Sequence, residues 1–190
     1  MSDAAVPTRP SPDEYFMGIA VAVRQRANCL GRKVGAILVL DGRIISTGYN
    51  GTPVGMPNCT DGGCYRCANP NDFRSGEGYD LCICVHAEQN ALIAAARFGI
   101  AVEGSIVYST VRPCFGCLKE LIQAKVQGVR YLHDWTPQAG KRREQYDQLH
   151  QYFSKGVGQV NIEDPHEAWA MRPARNTPAG PVDETGHAQA

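Results

Sequence analysis

No apolar run in this 190-residue chain approaches the ~20 residues needed to cross a bilayer, so no membrane-spanning helix is expected. Net charge is also missing, since 19 Lys and Arg stand against 19 Asp and Glu. Proteins that grip long nucleic acids rely on an excess of Lys and Arg to neutralise phosphates. The balance therefore excludes a nucleic acid polymer from the expected partners and favours a small substrate. Met1 to Pro10 has neither the basic nor the apolar region of a signal peptide, so a cytoplasmic location is expected. No internal repeat is visible. What remains is ordinary for a globular protein: 43% hydrophobic and 20% charged residues in a length that suits one domain.

Cysteine is the exception to this ordinary composition. There are eight, at 29, 59, 64, 67, 82, 84, 114 and 117. Cytoplasmic thiols stay reduced, so metal binding is favoured over disulfides, and two metal sites would use most of the eight.

The ends, residues 1–10 and 165–190, are rich in Pro, Ala and polar residues and read as mobile segments flanking a folded domain over 11–164. Ser11-Pro12-Asp13-Glu14 has capping-box spacing, with Tyr15, Phe16, Ile19 and Val23 following at helical period. Val34–Leu40 and Arg43–Gly48 read as strands joined by an Asp41-Gly42 hairpin turn. Residues 50–85 form a long Gly-, Asn-, Pro- and Cys-rich loop, which in a compact domain is functional or held by something other than a core. Helices are expected over Ala87–Phe98, Cys114–Val126 (closed by Gly128) and Gly140–Lys155. Strands are expected over Ser105–Thr110, Val129–Leu132 and Val157–Ile162. This order predicts an α/β fold, a three-layer α/β/α sandwich whose five-stranded mixed sheet ends in parallel strands, because helices separate the last strands.

Two helix starts carry the chemistry. His86-Ala87-Glu88 opens one, and Pro113-Cys114-Phe115-Gly116-Cys117 opens the next. One His nitrogen and two thiolates suit Zn²⁺ and leave a fourth tetrahedral position open, which marks a catalytic site. Helix N-termini also favour the negative charge of thiolates. Glu88 is not needed as a ligand and is placed to move protons. The pairing of H-x-E with P-C-x-x-C is the known signature of zinc-dependent nucleobase deaminases. Taken singly these features are weaker, because C-x-x-C also occurs in redox and structural zinc sites and a lone His is more often a core residue.

Over residues 13–162 the sequence resembles the deoxycytidylate deaminase family, through Lys33-Val34-Gly35-Ala36, Thr47-Gly48-Tyr49-Asn50-Gly51-Thr52-Pro53, Val85-His86-Ala87-Glu88-Gln89-Asn90-Ala91 and Pro113 to Cys117. The second string discriminates this family from zinc deaminases of free bases, nucleosides or RNA. The resemblance implies a cytidine deaminase-like fold and hydrolytic conversion of dCMP to dUMP, which feeds thymidylate synthesis. It also implies that Asn50, Gly51, Thr52 and Ala87 contact substrate, with Asn50 on the deoxyribose. Asn50-Gly51 also suits a turn, and the two readings are compatible because the turn would present the side chain. Many family members are homohexamers controlled by dCTP and by dTTP with Mg²⁺, and others lack this control.

Arg97, at a helix C-terminus, is weighed as a phosphate contact against the more ordinary role of complementing the helix dipole. Lys141-Arg142-Arg143 reads as a solvated face, and His133, His150, His166 and His187 match no metal spacing. Several bacterial and phage members carry a structural zinc, which here implies Cys29, Cys59, Cys64 and Cys82 as ligands. Cys67 and Cys84 exceed that pattern, with Cys64 and Cys67 an alternative pair. Two other readings stay open: a zinc deaminase of another nucleoside, nucleotide or base, and a non-catalytic zinc-binding module. Glu88 argues against the second, since a closed structural site has no use for a proton shuttle.

Overall fold

The structure is a computed structural model that describes residues 9–73, 78 and 80–171. Helix α1 (Pro12–Arg24) starts as its sequence dictates. Ser11 N–H donates to Glu14 Oε2 (2.7 Å) and Glu14 N–H donates back to Ser11 Oγ (3.3 Å). Strands β1 (Gly35–Leu40) and β2 (Arg43–Tyr49) form an antiparallel hairpin whose turn residues, Asp41 and Gly42, both have positive φ (48° and 72°). That geometry belongs to a type I′ turn, which matches the twist of paired strands. After the cysteine-rich segment with its short helix α2 (Tyr65–Ala68) come α3 (Ala87–Arg97), β3 (Ile106–Val111), α4 (Phe115–Gln123), β4 (Gly128–His133), α5 (Lys141–Leu149), β5 (Val157–Gln159) and α6 (Glu167–Met171).

The sheet order is β2-β1-β3-β4-β5. β1 is antiparallel to β2 and β3, whereas β3-β4 and β4-β5 are parallel, as the intervening helices require. Alternation along the strands divides the core in two. Ile37, Val39 and Tyr108 face α1, packing against Phe16, Met17, Ala20 and Val21. Ala36, Leu38 and Val107 face the other way, into a cluster with Ala87 and Ala91 of α3, Leu118 and Leu121 of α4 and Tyr146 of α5. Three layers result. Close approach sets the spacing of the β2–α3 layer: a Cβ at Gly48 would collide with the backbone of Ala87 and Ala91.

Several boundaries differ from expectation. α4 stops at Gln123 because Lys125 takes the left-handed conformation (φ 59°), so Gly128 begins β4 instead of closing the helix. α5 ends at Leu149 and tightens into a 3₁₀ turn over His150–Tyr152. β5 ends at Gln159, whose side-chain Nε2 donates to Leu132 O (2.9 Å) and so occupies a β4 carbonyl. Val160 still buries its side chain against the α1 face.

The stretch from 165 that reads as a mobile tail contains α6, with Ala170 buried and its carbonyl accepting from Lys33 N–H (2.9 Å). Residues 1–8 and 172–190 of the expected mobile ends, including His187, lie outside the described residues.

One ion pair inside the α1 face was not foreseen from sequence. Arg24 donates to both Asp164 carboxylate oxygens (2.7 and 2.6 Å), and His133 Nε2 lies 2.7 Å from Asp164 Oδ2. The Arg24 and Asp164 side chains are 0% and 2% exposed. Burial works to raise the Asp164 carboxyl, but the hydrogen bonds from Arg24 and His133 outweigh it and hold the group below the usual carboxylate range. Removing one partner strands a buried charge, so Asp164→Asn is expected to cost about 3–5 kcal/mol in chemical denaturation. The depressed pKa adds stability that is fully present above the unfolded-chain value of about 3.9 and is lost as pH falls toward the folded value. The gap between wild type and variant should therefore hold from neutral pH to about 4 and narrow below it. A gap that stayed constant to strong acid would contradict this account.

Candidate metal centre and substrate loop

The N-termini of α3 and α4 converge on the same face of the sheet. His86 immediately precedes α3, and Cys114 immediately precedes α4 after the end of β3. Three contacts hold these starts in place. His86 N–H donates to Gln89 Oε1 (3.0 Å), Gln89 Nε2 donates across to Glu120 Oε1 of α4 (2.9 Å), and buried Tyr146 donates its hydroxyl to Pro113 O (2.7 Å). Gln89, Glu120 and Tyr146 were not picked out from sequence as supports, because their partners lie 31 to 33 residues away.

His86 Nδ1 lies 3.3 Å from Cys117 Sγ and 3.4 Å from Cys114 Sγ, and the two sulfurs are 3.6 Å apart. A tetrahedral zinc with bonds of ~2.0–2.1 Å to nitrogen and ~2.3 Å to sulfur has N···S and S···S edges of ~3.6 and ~3.8 Å, so this triangle fits one face of such an ion. Among the described residues, three donors are gathered here. Protons are shared unequally among them. The Cys114 sulfur raises His86 to about 9, Cys117 followed by His86 lowers Cys114 to about 4, and Cys114 pushes Cys117 up.

Glu88 is the second residue of α3, within its first turn, and is 4% exposed. Its Oε2 lies 3.6 Å from Cys117 Sγ, and its Oε1 accepts from Ser109 Oγ of β3 (3.2 Å). Burial raises its pKa, which brings a carboxyl toward the range useful for proton transfer. Ser109 was missed by sequence reading, since only the inward alternation of β3 points it here.

The Asn50 segment lies alongside. Asn50-Gly51 is not a turn: Gly51 and Val85 exchange backbone hydrogen bonds (3.2 and 2.9 Å) as an antiparallel bridge, which sets the loop next to His86. Asn50 is itself buried, its Oδ1 accepting from Val34 N–H and its Nδ2 donating to Arg32 O (both 2.8 Å). One amide hydrogen and one lone pair are left for other partners. Thr52 Oγ donates to Pro57 O (2.9 Å), and Ala87 is fully buried at the start of α3. Arg97 is not brought to the site. It is exposed at the far end of α3, about 14 Å along the axis from Glu88 at 1.5 Å per residue, with its guanidinium over Phe98.

The second cysteine group also departs from expectation. Cys29, Cys59, Cys64 and Cys82 do not form one set. Cys29 and Cys59 gather with Cys67 and Cys84, while Cys64 and Cys82 gather with the same Cys67 and Cys84.

Comparison with known proteins places this geometry in context. The family model described as the cytidine and deoxycytidylate deaminase zinc-binding region matches residues 10–133. The deoxycytidylate deaminase of Schizosaccharomyces pombe is 43% identical over 123 residues, 65% of this chain and 37% of that protein. The deoxycytidylate deaminase of Mycobacterium phage D29 is 39% identical over 127 residues, 65% of this chain and 96% of that protein. The chain thus spans under two fifths of the length of the curated yeast relatives it matches. Among solved structures, the dCMP deaminase from the cyanophage S-TIM5 in complex with dCMP and dUMP superposes with a TM-score of 0.60 at 31% identity, covering 81% of this chain and all of that one.

To ligate an ion, His86 and Cys117 must each give up a proton that their surroundings help them keep. In chelator-stripped protein, the zinc concentration that half-restores occupancy of the His86 site should be at least about tenfold higher at pH 6 than at pH 8. A pH-independent value would contradict the proton competition described.

Proposed function

Because the chain belongs to the cytidine and deoxycytidylate deaminase zinc-binding family, we propose that it catalyses hydrolytic deamination of dCMP, in which dCMP and water give dUMP and ammonia. The observation that carries this reading is the convergence of His86, Cys114, Cys117 and Glu88 at two helix N-termini, beside the Asn50 segment. His86, Cys114 and Cys117 would hold the zinc. When bound, zinc lowers the pKa of a water toward ~7 and stabilises negative charge at the reacting centre.

The remaining work falls to the protein's own groups. Glu88 takes a proton from the water as its oxygen bonds to ring carbon C4, and delivers a proton to N3. It then takes the remaining proton from the new C4 hydroxyl and passes it to the departing amino nitrogen as the C–N bond breaks, leaving the C4 carbonyl of dUMP and ammonia. Ser109 keeps the carboxylate oriented through Oε1, leaving Oε2 toward the reacting atoms. Burial of Glu88 excludes bulk water from this transfer. Asn50, anchored to Arg32 and Val34, offers its remaining donor to the deoxyribose, while Gly51, Thr52 and Ala87 shape the adjoining wall.

The proposal extends to a second, structural zinc on the remaining cysteines, to a homo-oligomer, hexameric as in many relatives, and to dCTP and Mg²⁺–dTTP as effectors. The exposed apolar residues Ile93, Phe98 and Ile100 at the outer end of α3 favour association with another copy. Reduced buried thiols favour a cytoplasmic location, and the described helices include none long and apolar enough to cross a membrane.

Ammonia release with dCMP, deoxycytidine and dCTP tests the reading, with kcat/KM expected to be highest for dCMP. Equal or higher values for deoxycytidine would overturn it. Glu88→Gln should lower kcat by at least about 10²-fold with zinc content unchanged, and appreciable residual activity would remove Glu88 from its assigned role. Asn50→Ala should lower kcat/KM and also reduce thermal stability, because two backbone contacts are lost together with the sugar contact.

A further inference from the structure

Six cysteines lie outside the His86 site, and they come from three separate segments. Cys29 is in the connection between α1 and β1. Cys59, Cys64 and Cys67 come from the insertion after β2, and Cys82 and Cys84 from the run that enters α3. All but Cys82 are buried, all are free of disulfide bonds, and among the described residues Leu30 is the one other apolar side chain packed against them. A core made of thiols and a single leucine has little hydrophobic substance with which to hold a segment of this length.

The sulfurs are arranged as two tetrads, Cys29-Cys59-Cys67-Cys84 and Cys64-Cys67-Cys82-Cys84, and within each tetrad every sulfur lies within 4.8 Å of the others. Cys29 to Cys67 is 3.7 Å, Cys67 to Cys82 is 3.7 Å and Cys64 to Cys82 is 3.9 Å. A four-thiolate zinc with bonds of ~2.3 Å has edges of ~3.8 Å, whereas a disulfide requires ~2.05 Å. Neither tetrad is more complete than the other, and each uses Cys67 and Cys84. Filling one would leave two further thiols against a bound thiolate pair with nothing to coordinate. An iron–sulfur core would not suit this spacing, because it interposes its own sulfides and spreads its thiolates further apart than these sets allow.

Extending the second zinc proposed above, we infer that the six cysteines form a binuclear thiolate cluster holding two zinc ions, with Cys67 and Cys84 each bridging both. Cys29 and Cys59 complete one tetrahedron and Cys64 and Cys82 the other. Both sites are closed, so their role is structural. Six thiolates against two divalent ions leave excess negative charge, and Leu30 N–H donates to Cys59 Sγ (3.3 Å) to take up part of it. The cluster replaces a hydrophobic core for the insertion. It also reaches the reaction centre, since Cys84 is joined through Val85 to His86.

Native mass spectrometry of the holoprotein, purified reduced and without chelators, reads the outcome directly. Three zinc ions per chain are expected, one for each gathered ligand set. Two per chain would overturn the binuclear cluster while leaving a single structural zinc intact. One would overturn both, and iron in place of zinc would overturn both as well.

Cadmium-113 exchange of the wild-type protein tests the bridges without any mutation. Two cluster resonances split by mutual coupling through shared sulfur are expected, and uncoupled resonances would refute the sharing. Cys29→Ser and Cys82→Ser, one in each tetrahedron, should both fall below three zinc ions while the His86 site keeps its own. Should either variant retain three, the assignment fails.

Discussion

Two backbone hydrogen bonds between Gly51 and Val85 hold together parts of the chain that sequence separates by more than thirty residues. On one side of this bridge lies the end of β2 with Asn50, and on the other lie Cys84 and His86. The bridge fixes the segment that would face a nucleotide relative to the first ligand of the metal centre, and it fixes both relative to the thiol cluster. A Cβ at Gly51 would run into the Asn28 side-chain amide, so a larger residue there would have to displace that amide. Asn90 adds a second tie from α3 by donating its Nδ2 to Tyr49 O (2.7 Å). The helix start and the loop are therefore tied to each other at two points.

The metal centre is a place where protons do not satisfy all parties. Two sulfurs, an imidazole and a buried carboxylate lie within 3.6 Å of their neighbours, and whichever group holds a proton leaves another in an unfavourable state. Helix N-termini relieve part of the cost of negative charge. A divalent cation relieves the rest, which is why the geometry fits an ion better than it fits a core of thiols and an imidazole. Three gathered donors and the adjacent Glu88 distinguish this site from the cysteine tetrads, each of which gathers four sulfurs.

Much of this was legible in the sequence where the signal is local. The capping box at Ser11, the Asp41-Gly42 turn, the alternation of strands and helices, and the two short motifs at His86 and Cys114 all rest on neighbours a few residues apart. What sequence hid depends on distant partners. Ser109 reads as one small polar residue in a strand until β3 aims it at Glu88, and Arg24 reads as an ordinary basic helix end until Asp164, 140 residues later, folds over it. Gly48 illustrates a motif residue with a second purpose: placed in a string associated with substrate, it is also the spacer that lets α3 lie against β2. The grouping of the six remaining cysteines was beyond reach for the same reason, since spacing along the chain says nothing about which sulfurs are shared.

Helix α6 gives the far end of the fold a say in the Asn50 segment. Ala170 O receives Lys33 N–H, the Lys33 ammonium lies 4.9 Å from the Trp169 ring, and residues on either side of Lys33 grip the Asn50 amide. These contacts form a relay of backbone restraints from the last described helix to the residue proposed to read the sugar. Shortening the chain ahead of Glu167 would therefore act less as the loss of a tail than as the removal of a tensioned stay, slackening a loop whose own sequence had not changed.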